Sequence, residues 1–168
     1  LEQKMNNIRD TGAEIVACAC SGCMVQLQGG LDKQVPGVKM KHVADLLAEK
    51  YPERLYNVGR LDMYSSGAIL FTNDGEFAAK VGHPSSEIEK QYIVEASMPF
   101  RDDVIEAFRK GIRIDNVYYR CRDAVRLSSR RMSITLIEGK NREIRRVLEH
   151  FSIRVKNLIR TRIGTVTI

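Results

Sequence analysis

The first fifty residues alternate between the apolar spacing of a strand and that of a helix. Short apolar runs predict strands, whereas apolar residues three or four apart predict helices. The four segments in order are a strand at 14–18, a helix at 22–33, a strand at 38–43 and a helix at 44–51. This β-α-β-α order favours parallel strands, and Gly29-Gly30 is expected to mark the end of the first helix.

From residue 51 onward, strands outnumber helices. A strand, a polar loop and a second strand are predicted over 54–73. Further on, the pattern predicts helices at 76–81, 102–110 and 141–151, one or two strands within 112–127, and strands at 90–96, 132–137 and 155–160. We expect an α+β fold: a mixed, mostly antiparallel sheet with helices on one side and a cleft at the 54–73 loop. The chain then divides into a β-α-β-α segment at 1–50 and a larger domain at 51–168.

The helix at 141–151 has two distinct faces. Asn141 is a reasonable N-cap, and we expect the chain before it to present amide groups to an anion. An apolar face with the spacing i, i+3, i+4, i+7 must meet the core: Ile144, Val147, Leu148 and Phe151. A charged face repeats the same spacing: Arg142, Arg145, Arg146 and Glu149.

The positive charge of the chain predicts an anionic partner. Lys and Arg number 27 against 21 Asp and Glu, which gives a net charge of +6. The excess is concentrated between residues 138 and 162, where eight basic residues stand against three acidic ones. Such a surface attracts phosphates, although a solvated helix face is the alternative interpretation.

The loop within 54–73 holds the first candidate for chemistry. Arg60 and Asp62 are separated by one leucine, and in extended chain such side chains share a face. A carboxylate and a guanidinium could therefore meet in one cleft. The alternative is a solvated aspartate paired with Arg60.

Cysteines suggest a metal site only weakly. Three of them, Cys18, Cys20 and Cys23, are clustered, and Cys121 is distant in sequence. Zinc and iron–sulfur sites generally take four protein ligands, for which His42 is a further candidate. We therefore predict that no metal is bound and that these cysteines are free thiols. The three clustered thiols are weak candidates for metal ligands.

The apolar pattern also predicts the cellular location of the protein. No apolar stretch approaches the roughly 20 residues that a membrane span needs. We expect a cytoplasmic protein without a membrane partner, and a monomer.

Several motifs together resemble one enzyme family. They are G-R-L-D at 59–62, L-F-T-N-D-G at 70–75, H-P at 83–84, E-K-Q-Y at 89–92, E-G-K-N-R-E-I-R-R at 138–146 and L-I-R at 158–160. In this order they resemble the RsuA/RluB-type pseudouridine synthases, over residues 51–168. The resemblance implies a pseudouridine synthase-like fold. It also implies an enzyme that isomerises specific uridines of ribosomal RNA and needs no cofactor.

The resemblance also implies roles for individual residues. Asp62 matches the catalytic carboxylate, which acts as nucleophile or as base. Arg145 matches the arginine that pairs with it, and Tyr92 matches the tyrosine that stacks on the target uracil. The other basic residues are assigned to contacts with RNA phosphates or to loop structure: Arg60, Lys140, Arg142, Arg146 and Arg160. Met63 and Tyr64 depart from the usual polar residues after the aspartate, which predicts a changed loop or substrate preference.

Residues 1–50 resemble another family. They look like the second half of a cysteine-rich CCG domain of iron–sulfur oxidoreductase subunits, so a chimera or fusion is one interpretation. Two alternatives to the isomerase follow. One is a catalytically inactive RNA-binding relic, and the other is a fragment of an iron–sulfur electron-transfer protein.

Overall fold

The computed structural model describes residues 2–18 and 21–168. By contacts it divides into two compact units. The first unit comprises Leu1–Met63 and Phe71–Ala78, and the second comprises Tyr64–Leu70 and Ala79–Ile168.

The first unit begins with a helix that the apolar pattern did not predict. In order, its elements are α1 (Glu2–Thr11), β1 (Ile15–Cys18), α2 (Ser21–Gln34), β2 (Lys39–His42), α3 (Val43–Lys50) and β3 (Tyr56–Val58). The predicted β-α-β-α order is confirmed, because β1 and β2 pair in parallel on either side of α2. Their core contains the buried side chains of Met5, Leu31 and Val35.

The Gly29-Gly30 pair does not end α2, so that expectation is wrong. The helix continues to Gln34. Leu31 and Val35 lie beyond the glycines and are both buried. Burial of these two apolar side chains outweighs the cost of two helical glycines, which is about 1 kcal/mol each.

The connection that leads into the second unit contains three short elements. They are β4 (Ser66–Gly67), β5 (Leu70–Thr72) and α4 (Gly75–Gly82). β3 and β5 form a two-stranded sheet. The predicted helix start is confirmed, because Asp74 Oδ1 accepts a hydrogen bond from the Phe77 N–H at 2.9 Å.

A six-stranded sheet dominates the second unit. Its elements in order are a 3₁₀ turn (Pro84–Ser86), β6 (Lys90–Ala96), α5 (Asp102–Lys110), β7 (Ile112–Ile114), β8 (Val117–Tyr119), β9 (Asp123–Ser128), β10 (Arg131–Leu136), α6 (Glu143–His150), β11 (Val155–Ile163) and β12 (Val166–Thr167). The sheet order is β12-β11-β6-β10-β9, and β4 also pairs with β11. Only the β4–β11 pairing is parallel within this sheet, so the expected mixed, mostly antiparallel α+β fold is confirmed.

The core of the second unit lies between this sheet and two helices. Alternate residues of β6 and β10, such as Val94 and Ile134, are buried in one cluster with the apolar faces of α5 and α6. Both helices therefore pack on the same face of the sheet. The predicted apolar side of α6 is confirmed: Ile144, Val147 and Leu148 are buried, and Phe151 at the C-cap is partly buried against the same cluster.

Two local predictions for the second unit were wrong. The segment 112–127 contains three strands rather than one or two, because Asp115 and Asn116 both have positive φ and close a tight β7–β8 hairpin. Asn141 is not the N-cap of α6. Arg142 occupies that position with φ 51° and makes no side-chain cap bond, so the helix begins at Glu143.

Candidate active site

Arg145 is the most informative side chain of the candidate site. The spacing on α6 placed it on the charged face of the helix, and the structure leaves only 7% of it exposed. Its Nη2 donates to the carbonyl oxygen of Tyr64 at 2.6 Å and to Ser65 Oγ at 3.4 Å. The guanidinium also lies 5.8 Å from the centroid of the Tyr64 ring. A charge on α6 thus holds the segment that directly follows Asp62 in the chain.

Arg160 holds the next part of the same segment. It lies in β11 with 2% of its surface exposed, and its Nε donates to the Ala68 carbonyl at 2.7 Å. The backbone reinforces this contact, because the Ala68 N–H donates to the Arg160 carbonyl at 2.7 Å. Residues 64–68 are therefore bound at two points by buried guanidiniums.

Gly67 permits the close approach of β4 to β11. Gly67 is paired with Arg160 in the parallel register and has φ 105°. A Cβ at this position would overlap the backbone atoms of Arg160. The glycine that follows Ser65-Ser66 is therefore required both by its backbone conformation and by the space available.

Asp62 lies at the end of the first unit, two residues before Tyr64 in the chain. It stands in irregular chain between β3 and β4 and is partly buried, whereas Arg60 is exposed. The predicted roles of both residues stay predictions.

Tyr92 lies in the middle of β6, where it is half-buried. It is the register partner of Arg160 on one side and of Ile134 on the other. Directly paired residues in antiparallel strands project from the same face of a sheet. The structure thus places Tyr92 beside Arg160, and the predicted stacking on uracil stays a prediction.

The remaining predicted RNA-binding residues differ in their partners. Lys140 pairs with Glu138 at 2.6 Å, and this contact raises the pKa of Lys140. Arg142 pairs with Glu149 at 3.1 Å. Arg146 is exposed and forms no ion pair with any described side chain. Of the three, Arg146 has the charge most available to a phosphate.

Glu143 was not singled out from the sequence. Only 4% of it is exposed, and its Oε2 accepts a hydrogen bond from the Lys140 N–H at 3.3 Å. Burial raises the pKa of Glu143 to about 7, although Lys140 acts in the opposite direction. The available signal was its position four residues before Val147, on the edge of the apolar face of α6.

Lys90 is a second residue that the sequence did not single out. Burial lowers the pKa of Lys90, and the charge of Arg160 lowers it further. Its Nζ donates to the carbonyls of Ile88 at 3.1 Å and Ile137 at 3.4 Å. Lys90 therefore ties the start of β6 to the end of β10.

The cysteines form no site within the part of the chain that the structure describes. No group of three or more His, Cys, Asp or Glu residues suited to a metal ion occurs there. Cys18 is half-buried; Cys20 lies outside the described residues, as does the side chain of Cys23. Burial raises the pKa of Cys121 to about 11, which disfavours the reactive thiolate form.

Among the described residues, no helix is both long enough and apolar enough to cross a bilayer.

Comparison with known proteins shows which family this chain is similar to. The sequence model of a family described as RNA pseudouridylate synthase matches residues 21–150. The match begins at residue 21, within the first fifty residues, and continues through α6.

Individual relatives agree with that match. An uncharacterized RNA pseudouridine synthase of Borreliella burgdorferi is 35% identical over 76% of this chain and 51% of its own length. Ribosomal large subunit pseudouridine synthase B of Yersinia pestis is 35% identical over 75% of this chain and 41% of its own length. A solved structure of a pseudouridylate synthase superposes with a TM-score of 0.62 at 27% identity, covering 67% of this chain and 50% of that one. The chain thus spans about half, or less, of the length of these relatives.

Proposed function

The chain belongs to the RNA pseudouridylate synthase family, and from that membership we propose that it isomerises a specific uridine of ribosomal RNA to pseudouridine. The relative from Yersinia pestis is named for the large ribosomal subunit. Ribosomal RNA is accordingly the substrate class that we propose here. Such a substrate would place the protein in the cytoplasm, and we propose that it acts there as a monomer.

One observation carries the proposal. Arg145, predicted to serve the catalytic aspartate, is buried and donates to the Tyr64 carbonyl and to Ser65 Oγ. Tyr64 follows Asp62 by two residues. A buried guanidinium aimed at this segment is costly unless its position matters, because a desolvated charge needs partners.

The proposed reaction leaves the overall composition of the base unchanged. The bond between the ribose C1′ and the base N1 breaks, the uracil turns while bound, and a bond from C1′ to C5 forms. The C5 proton is lost and N1 gains a proton, so no electrons enter or leave. Asp62 is the proposed catalytic carboxylate, either as nucleophile or as base on the ribose.

Two other residues are proposed to assist Asp62. Arg145 would keep the carboxylate ionised and oriented, since a nearby guanidinium favours the charged form. Tyr92 would stack on the uracil once the nucleotide leaves its helical stack, a step that costs a few kcal/mol. Arg160 lies directly across from Tyr92 and binds the Ala68 carbonyl. Its burial supports a role in loop structure rather than in phosphate contact.

The RNA backbone is proposed to bind the exposed cations. Arg60, Arg142 and Arg146 are exposed, and Lys140 is partly so. Contacts of these side chains with phosphates would offset the cost of extruding the target nucleotide.

The test is formation of pseudouridine in unmodified ribosomal RNA transcripts of both subunits, and in partly assembled particles. The product is mapped by chemical labelling and reverse-transcription stops. We expect stops with the parent protein and with Asp10→Ala, an exposed aspartate of α1, and none with Asp62→Ala. RNA binding without stops for any of the three would favour the inactive relic instead.

A further inference from the structure

A cavity of about 510 Å³ opens in the second unit beside Arg145. Its walls come from the end of α6, the turn at Ser152 and the start of β11, with the Tyr64 ring on one side. We call it the Tyr64 cavity; its lining includes Tyr64, Arg145, Glu149, Ile153, Arg154 and Lys156. Its volume falls within the range of roughly 300–1,000 Å³ typical of small-ligand sites.

The Tyr64 ring is held in place but remains open to solvent. The ring lies over the Arg145 guanidinium at 5.8 Å, and Arg145 is fixed by its bonds to the Tyr64 carbonyl and Ser65. Yet 58% of Tyr64 is exposed. A ring supported in this way can receive a second flat group with little loss of conformational entropy.

The charges around the cavity favour an anion. Arg154 and Lys156 are both exposed, and neither forms an ion pair with the side chains that the structure describes. The carboxylate of Glu149 lines the same cavity but is occupied by Arg142 at 3.1 Å. The two cations are thus available to phosphate oxygens.

The apolar part of the lining completes the chemistry of a nucleotide site. Ile153 is buried, and Val155 is half-buried between the two cations in sequence. The cavity therefore combines an aromatic wall, an apolar floor and a cationic rim. A base requires the first two features and a phosphate the third.

We propose that the Tyr64 cavity binds a nucleotide of the substrate RNA next to the target uridine, with its base stacked on Tyr64 and its phosphate between Arg154 and Lys156. The assignment of RNA as the ligand rests on the proposed function. Tyr64 follows the proposed catalytic carboxylate by two residues, so the nucleotide that it binds flanks the target. Tyr64 in this way helps to position the substrate RNA.

Stacking is tested by direct binding, which does not require turnover. The probe is an octamer of uridylate with one central 2-aminopurine, whose fluorescence falls when it stacks on an aromatic ring. Wild type and Tyr64→Phe are expected to quench the probe equally. Tyr64→Leu is expected to lose the quenching and to bind about tenfold more weakly, since base–aromatic stacking contributes about 1–3 kcal/mol.

Tyr118→Leu is the matched control. Tyr118 is also an exposed tyrosine of the second unit, with 46% of its surface accessible, but it does not line the cavity. Urea unfolding of each variant shows that it is folded. Unchanged quenching and affinity in Tyr64→Leu, equal losses in Tyr118→Leu, or no binding by wild type would each overturn the proposal.

The cationic rim is tested through salt dependence. Arg154→Gln combined with Lys156→Gln is expected to lower the slope of log affinity against log salt by about 0.7, the value for one phosphate of a single strand. Arg109→Gln, in a different cavity lined by Asp102 and Glu106, should leave the slope unchanged. An equal slope in the double variant and wild type overturns the phosphate contact.

The two proposals fail in different ways. If Tyr64→Leu loses quenching while no protein forms pseudouridine, the nucleotide site stands and the isomerase proposal falls. If pseudouridine forms while the quenching does not depend on Tyr64, the isomerase stands and the nucleotide site falls.

Discussion

Arg145 illustrates how a single side chain can join a helix to a distant segment. Its hydrogen bond to Tyr64 spans 81 residues of sequence. A guanidinium offers several donors in one rigid plane, which allows one nitrogen to reach both Tyr64 and Ser65. A lysine offers a single ammonium on a flexible stem and cannot reproduce this geometry.

We therefore predict that Arg145→Lys lowers kcat about 100-fold, the effect of losing one preorganised donor. Initial rates of pseudouridine formation over a range of RNA concentrations would measure this. Arg109→Lys is the matched control, because Arg109 is an exposed arginine in the last turn of α5. Equal values of kcat in Arg145→Lys and in wild type would contradict the role of the guanidinium.

Glu143 links the stability of the second unit to pH. Its pKa in the folded protein is about 7, raised from 4.5 chiefly by burial. The folded state therefore holds a proton that the unfolded state has released between these two values. Stability contributed by the protonated carboxyl is complete below about pH 4.5 and is lost as the pH rises through about 7.

The prediction is that Glu143→Gln removes this pH dependence. The amide keeps an oxygen to accept the Lys140 N–H and never ionises. Relative to wild type, its free energy of unfolding should rise by about 3 kcal/mol between about pH 4.5 and pH 8. Urea unfolding of both proteins at several pH values measures the difference, and parallel curves for the two proteins would refute it.

At the scale of elements, the strand β4 has a role in positioning the chain although it contains only two residues. Its pairing with β11 is the parallel contact of the large sheet, and it positions the segment that follows Asp62. Gly67 makes this pairing possible, since a Cβ there would meet backbone rather than a movable side chain.

Replacing this glycine should separate β4 from β11. Gly67→Ala is predicted to lower the free energy of unfolding by about 3 kcal/mol, from positive φ and backbone overlap together, and to reduce pseudouridine formation. Gly139→Ala is the control, because a Cβ at Gly139 meets nothing within 4 Å. Chemical denaturation would show the contrast, and similar stabilities of the two variants would count against the close approach.

Element prediction from sequence succeeded where local spacing controls structure. The predicted bounds of β6 and α5 are those observed, and Gly111 ends α5 with φ 93°. It failed at Gly29-Gly30, where burial of Leu31 and Val35 outweighed the low helix propensity of glycine, and at Asn141, where Arg142 takes the N-cap position instead. The hairpin at Asp115-Asn116 was missed because two left-handed residues in succession give only a weak signal without glycine.

At the scale of the whole molecule, the charge excess is less available than the sequence count suggests. Between residues 138 and 162, two of the eight cations are buried, Arg145 and Arg160. Three more are ion-paired: Lys140, Arg142 and Arg162. The remaining three carry the exposed charge of this region and form no ion pair with described side chains: Arg146, Arg154 and Lys156.

This distribution predicts unequal effects of two neighbouring arginines. Arg146→Gln should lower the salt slope of binding to ribosomal RNA by about 0.9, the value for one duplex phosphate. Arg142→Gln should lower it by less, because Arg142 must first leave Glu149. Filter binding at several salt concentrations would compare them. A larger effect from Arg142 would mean that the pair with Glu149 does not persist.

The family, the order of its motifs and most helices and strands could be predicted from the residues alone. These depend on residue identity and on spacing within a few positions, which a linear pattern records. Three features could be read only from the folded chain: Arg145 and Arg160 are buried, burial raises the pKa of Glu143, and Tyr64 lines a cationic cavity. The contacts of Arg145 with Tyr64 and of Arg160 with Ala68 join residues 81 and 92 positions apart. Burial, and hence charge state and access, is set by such distant neighbours, which no local spacing specifies.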